Sequence, residues 1–183
     1  TMGKIADILQ ARGNLDEALR IRTEEQLPVY ERLGDVRSKA VTMGKIADIL
    51  QARGNLDEAM ELHGQRLATF EQMEDIREIA HVRVCTARIR LARGDHETGG
   101  LQQIHDELAE SFAILTRLGY ADGIGAVGLL LAQVLVAGGQ PDAAGAVLDQ
   151  AESAFARLGD DDGVAQVREL RAWLGQSGGV GDN

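Results

Sequence analysis

TMGKIADILQARGNLDEA, residues Thr1 to Ala18, recurs without a single change as Thr42 to Ala59. A third, weaker copy follows 40 residues on, where Leu91-Ala92-Arg93-Gly94-Asp95 answers Gln51-Ala52-Arg53-Gly54-Asn55. The fourth is Val136-Ala137-Gly138-Gly139-Gln140-Pro141-Asp142-Ala143-Ala144. A second marker alternates with the first: Arg32-Leu33-Gly34-Asp35, Gln72-Met73-Glu74-Asp75, Arg117-Leu118-Gly119-Tyr120 and Arg157-Leu158-Gly159-Asp160. Two punctuation marks in each repeat mean two structural elements in each repeat.

Both elements read as helices. Ile5, Ile8 and Leu9, like Ile46, Ile49 and Leu50, have apolar spacings of three and four, and the stripe Ala144, Val147, Leu148, Ala151, Phe155, Leu158 runs down one helical face. Gly13, Gly54, Gly94 and Gly139 stand where a helix ends in a left-handed residue. Asn14 with Glu17, and Asn55 with Glu58, have the spacing of a capping box, which Asp75 with Glu78 repeats at the other corner. Nine helices are expected, at 1–12, 15–33, 35–52, 55–73, 75–92, 96 or 101–118, 122–137, 141–158 and 162–174. A lone hairpin of this kind cannot bury its apolar faces, so the hairpins must stack.

The segment Gly13-Asn14-Leu15-Asp16-Glu17-Ala18, preceded by Ile5-Ala6 and Leu9, resembles the tetratricopeptide repeat, in its longer class of about 40 to 42 residues rather than 34. The resemblance implies an all-α, right-handed α-solenoid of about four and a half antiparallel helix-turn-helix repeats. These fall at 1–34, 35–74, 75–119 and 120–159, with a closing helix at 162–174 inside a solenoid of 1–174 and a disordered tail at 175–183. The family's aromatic positions hold Met2, Leu9 and Leu15 here, and its proline after the second helix is replaced by the Leu-Gly-Asp corner. In such stacks the first helix of each hairpin lines a concave groove. By register that puts Gly3, Asp7 and Gln10, then Gly44, Asp48 and Gln51, then Val84, Arg88 and Leu91, then Leu129, Gln133 and Val136 on the inner surface. Asp7 and Asp48 are expected to form a negative strip with no compensating lysine at that register, ended by Arg88.

Irregularities break the period. Repeat one holds one more residue than repeat two between its corners and carries Pro28 in mid-helix, so a kink or π-bulge is expected near Gln26 to Val29. Five extra residues in repeat three fall within Asp95-His96-Glu97-Thr98-Gly99-Gly100 and form either a loop or a weak extra turn, the two glycines favouring the loop. Gly123-Ile124-Gly125-Ala126-Val127-Gly128 imitates a dinucleotide fingerprint, but no strand precedes it and the register puts it inside a helix, where its glycines serve close packing.

Composition excludes several function classes. The 183 residues include 19 Lys plus Arg against 29 Asp plus Glu, a balance unsuited to a phosphate backbone, so nucleic acid is not an expected partner. No run is long and apolar enough for a membrane span, and the lone Cys85 leaves no disulfide framework. His81 and Cys85, at i and i+4, have a spacing that can present two metal ligands, but nearby sequence supplies no third. His63 and His105 fall at the edge of the apolar stripe and are expected to be packing histidines. The abundant carboxylates crowd helix N-termini, where the macrodipole favours them, and no acid–base pair in a shaped pocket is suggested.

The expectation is therefore a non-catalytic, cofactor-free cytoplasmic scaffold that binds a protein or peptide, with Asp7, Gln10, Asp48, Gln51, Arg88, Leu91, Gln133 and Val136 in its groove. The chain opens at Thr1 without a counterpart of Asp35 to Val41, so it is expected to be the carboxyl-terminal, sensing end of a longer array, with Trp173 of the closing helix sealing the open end. The alternative is end-to-end self-assembly through the apolar side of the first helix.

Overall fold

The computed structural model describes residues 2–95 and 99–177, and among these it contains nine helices and no strand. They are α1 (Met2–Ala11), α2 (residues 15–33), α3 (Val36–Ala52), α4 (Leu56–Gln72), α5 (Ile76–Ala92), α6 (Leu101–Leu118), α7 (Ala121–Ala137), α8 (Pro141–Leu158) and α9 (Asp161–Ser177). The closing helix α9 runs on to Ser177, past its expected end at 174. The rest of the expected tail, 178–183, lies outside the described residues, as do 96–98 of the extra segment and Thr1. Beside that segment, Gly100 N–H donates to the Asp95 carbonyl at 3.0 Å.

The corners follow the sequence. Gly13, Gly54, Gly94 and Gly139 have φ of 80°, 83°, 79° and 73°, a region closed to most side chains by the Cβ contact with the following carbonyl. At the second corner Gly34, Gly119 and Gly159 do the same, and Glu74 takes that place in repeat two at φ 52°.

The caps are distributed differently from expectation. Neither Asn14 nor Asn55 makes a side-chain cap: the Asn55 amide donates to Glu58 Oε1 at 2.9 Å, and Glu17 is drawn to Arg20 at 2.8 Å. In both boxes the glutamate takes a charge-assisted side-chain partner in place of the backbone N–H of the cap residue. The aspartates of the other corner do cap, Asp35 accepting from Ser38 N–H at 3.0 Å, Asp75 from Glu78 N–H at 3.2 Å and Asp160 from Gly163 N–H at 2.9 Å.

The bulge expected at Gln26 to Val29 lies just upstream. Ile21–Gln26 is a π-helical segment, closed by Leu27 N–H donating to the Arg22 carbonyl five residues back. Pro28 has no N–H for the carbonyl four residues before it, and its ring pushes on that group. Adding a residue to the preceding turn swings the carbonyl aside, which is why the distortion precedes the proline.

The chain divides into two compact units, residues 1–89 and 90–183. In the first, Ile46, Ala47, Leu50, Ala59 and Ile89 form one buried cluster, with Leu19, Leu27, Leu56, Met60 and Leu62 packed on it, and Ala40, Phe70 and Val82 form another. In the second, α7 is buried around most of its girth and packs on α6, α8 and α9. Its glycines serve close approach, as expected: a Cβ on Gly125 would lie 2.6 Å from the Phe155 ring, and one on Gly128 2.8 Å from Phe112.

Candidate binding surface

The first helices of the hairpins, α1, α3 and α5, carry the register positions of the first unit. Asp7 is exposed on α1, while Gln10, Asp48 and Gln51 are half-buried. Arg88 is exposed on α5. In the second unit Leu91 and Val136 are half-buried and Gln133 is exposed.

Beneath this row lies a layer of buried polar side chains from the second helices, which the periodicity did not show. Arg22 on α2 is 2% exposed and donates from Nη2 to Asp7 Oδ1 at 2.7 Å and from Nη1 to Gln26 Oε1 at 3.3 Å. The expected bare strip is therefore corrected. No lysine compensates Asp7, but an arginine fifteen residues on does, because α2 folds back over α1 and brings position 22 under position 7.

One repeat on, the counterpart layer is Arg66 and His63 of α4, both buried. Arg66 sits against Gly44 of α3, where a Cβ would come within 2.5 Å of its guanidinium carbon. Its Nη1 lies 3.0 Å from His63 Nδ1, Glu78 is 3.8 Å away, and its guanidinium carbon stands 5.9 Å from the Phe70 ring centroid. A guanidinium can only donate, so Nδ1 must accept and the proton resides on Nε2. That Nε2–H is buried without a hydrogen-bond partner, as are the Nε atoms of Arg66 and Arg22.

The electrostatics of this layer act on its imidazole. Burial first, and then the Arg66 cation, push the His63 pKa down to about 4. The same two causes lower His81. Burial and then Asp48 raise the Cys85 thiol above its usual range, the opposite of what a metal-ready thiolate needs. His81 Nε2 and Cys85 Sγ are 3.9 Å apart, and among the described residues no group of three His, Cys, Asp or Glu is arranged to hold a metal ion. Asp48 on α3 and Arg88 on α5 both act electrostatically on this pair, with opposite sign. His105, unlike His63, is only half-buried and bonds to Asp106 Oδ1 at 3.0 Å.

The residues that sequence reasoning missed, Arg22 and Arg66, left a trace. Arg66 lies three residues after His63 and four before Phe70, inside an apolar stripe. A lone cation in such a stripe points to a built polar layer rather than a solvated face.

Tetratricopeptide-repeat family models match residues 1–72 and residues 125–150. The chain belongs to the tetratricopeptide-like repeat family. No curated protein matches the sequence. The fold of this tetratricopeptide-like chain is similar to that of BtubC (BKLC) from P. vanneervenii, at 18% identity and a TM-score of 0.69 over 86% of this chain and 63% of that one. The chain thus spans a little under two thirds of the length of BtubC. It is also similar to a putative kinesin light chain with nearly identical TPR-like repeats from Podosopora anserina, at 19% identity and a TM-score of 0.65 over 93% of each chain. A single-substitution variant of that protein gives 20% identity and a TM-score of 0.68 over 96% of this chain and 88% of the other. These likenesses bear on the fold, an all-α solenoid of helix-turn-helix repeats. Tetratricopeptide repeats in general mediate protein–protein interaction and are typically non-catalytic. Among the described residues no helix is long and apolar enough to cross a membrane.

Proposed function

We propose that this tetratricopeptide-like chain is a scaffold that binds a protein or peptide along the first helices of its hairpins, as the sensing end of a larger cytoplasmic protein. The contact residues in this reading are Asp7, Gln10, Asp48, Gln51, Arg88, Leu91, Gln133 and Val136. The observation that carries it is the pair of opposite charges, Asp48 on α3 and Arg88 on α5, both close enough to His81 and the half-buried Cys85 to act on them electrostatically. A ligand with a basic group over Asp48 and an acidic one over Arg88 is matched at two points, which fixes its direction. Asp7 contributes less, because Arg22 already balances it.

The test is a peptide-display selection against the 183-residue chain, with selected peptides remeasured on Asp48→Asn with Arg88→Gln. Both substitutions fall on side chains without a cap or a buried partner, so the fold is retained. The reading expects at least a tenfold loss for most selected peptides, and unchanged affinity would refute it.

A second reading, end-to-end assembly, rests on a different observation. Ile5 and Ile8 of α1 are each 53% exposed, whereas Ile46 and Ile49, their counterparts in the identical segment, are 5% and 0% exposed. The uncovered face is one this sequence elsewhere buries. Light scattering against concentration, on the parent and on Ile5→Lys with Ile8→Lys, separates the readings.

A further inference from the structure

A cleft of about 530 Å³ opens between α2 and α4, on the side of α3 away from Asp48. Its floor is apolar: Leu19 of α2, Ile46 and Leu50 of α3 and Leu62 of α4. Ile46 and Leu50 each stand two residues from Asp48, which places them across the helix from it. The cleft is therefore separate from the surface described above. It exists because α2 packs on α1 and α3 and leaves its flank toward α4 open, and its π-helical turn carries Thr23 and Glu24 to the edge of that opening.

The rim is acidic. Asp16, Glu24, Glu58 and Glu61 line it, with Arg20 as the cation among the lining residues. Arg20 is already committed, to Glu17 at 2.8 Å, Glu25 at 2.9 Å and Glu24 at 3.6 Å. Asp16 faces Arg53 at 3.1 Å. Glu58 and Glu61 instead accept from side-chain amides, Asn55 at 2.9 Å and Gln65 at 3.5 Å. A hydrogen bond from a neutral amide brings no counter-charge, so the α4 edge of the cleft presents two negative groups beside an apolar floor.

A volume of this size is in the range of sites that take a few aliphatic side chains. Leucines at i, i+3 or i+4 and i+7 of a peptide helix supply them from one face, and such a helix carries its flanking residues to both rims. Charge decides which helix. We propose that this cleft docks a cationic amphipathic helix, its leucine-sized anchors on Leu19, Ile46, Leu50 and Leu62 and its lysines or arginines against Glu58 and Glu61. An acidic amphipathic helix, with the same anchors, is repelled by the same rim.

The experiment uses a fluorescein-labelled synthetic helix with leucines at that spacing and lysines on its flanks, and a twin in which glutamates replace the lysines. Both are titrated by anisotropy against the 183-residue chain. The lysine probe is expected to saturate at one per chain and to weaken as salt rises. Glu58→Gln with Glu61→Gln, exposed positions whose loss leaves the helix intact, should weaken it about fivefold, two surface charge pairs being worth together roughly a factor of that order. Asp48→Asn with Arg88→Gln should leave it unchanged, so failure here and failure of the proposed function are told apart. Equal binding of the glutamate twin, or no effect of the Glu58 and Glu61 substitutions, overturns the proposal. So does a parent chain that dimerises through this cleft without probe, with the dimer lost on Leu62→Gln.

Discussion

Asp7 Oδ1 lies 2.7 Å from Nη2 of Arg22, pairing a carboxylate at the surface with a guanidinium that is 2% exposed. The pair explains how the first repeat keeps a cation inside. Asp7 supplies the counter-charge of Arg22, whose other hydrogen bond goes to the neutral amide of Gln26 and whose Nε has no partner. Asp48 has the same register in the identical segment but lies beside His81 and Cys85 instead.

Asp7→Asn is therefore expected to destabilise the fold where Asp48→Asn does not. Removing one member of a buried pair costs several kcal/mol; with Asp7 itself half in water, about 1–2 kcal/mol is expected. Urea unfolding of the two variants checks it, and equal midpoints would show that Arg22 needs no counter-charge.

Stability should fall on mild acidification. The His63 pKa is about 4 in the fold, below the ordinary 6.5, so the unfolded chain takes up a proton that the folded chain refuses. The contribution is fully present above pH 6.5 and is lost as pH drops toward 4, amounting to roughly 2–3 kcal/mol. His81, also lowered, adds in the same direction. Urea unfolding between about pH 4 and 7 should show this slope, and His63→Leu should flatten most of it. An unchanged slope in that variant would place the titration elsewhere.

Glu74 is the residue to replace for stability. It holds φ 52° at the corner where Gly34, Gly119 and Gly159 stand in the other repeats. A side chain in the left-handed region costs about 1 kcal/mol, so Glu74→Gly should raise the melting temperature by a few degrees. A lowered value would mean that the Glu74 side chain holds the corner through contacts of its own.

How far the sequence foretold this structure depends on the range of the interaction involved. The corners were legible because Gly13 and Gly54 act on their own backbone, and the bulge in α2 because Pro28 disables a bond four residues away. Its position was less so, since either of two adjacent turns relieves the same clash. The boxes at Asn14 and Asn55 failed through competition among side chains within one turn. Arg22 and Arg66 were hidden because a charge in a helical stripe is normally read as facing solvent. What buries Arg66 is the bare backbone at Gly44 on another helix, and no spacing within α4 reports that.

That last relationship gives the sharpest test, because the same 18 residues contain Gly3 and Gly44 in identical local sequence. Local propensity treats them alike: alanine is the better helix former at both by roughly 0.5–1 kcal/mol. Tertiary packing does not. A methyl on Gly3 would meet the tip of the Gln26 side chain at 3.1 Å, a contact relieved by a shift of about a few tenths of an ångström that leaves the Gln26 bond from Arg22 in place. A methyl on Gly44 would meet the Arg66 guanidinium at 2.5 to 2.8 Å, and that group is fixed between His63, Phe70 and Glu78 with no exposed place to go. Forcing a buried group aside costs typically about 1–3 kcal/mol, which outweighs the gain in propensity. Gly3→Ala should thus be neutral or mildly stabilising in thermal melts, and Gly44→Ala destabilising. Gly54→Ala, at φ 83°, should be destabilising too, through its backbone alone. The mechanisms separate in Gly44→Ala combined with Arg66→Met. That exchange removes the clash and should recover stability, whereas Arg66→Met should do nothing for Gly54→Ala. If Arg66→Met fails to rescue Gly44→Ala, the contact between α3 and α4 is not what selects glycine there.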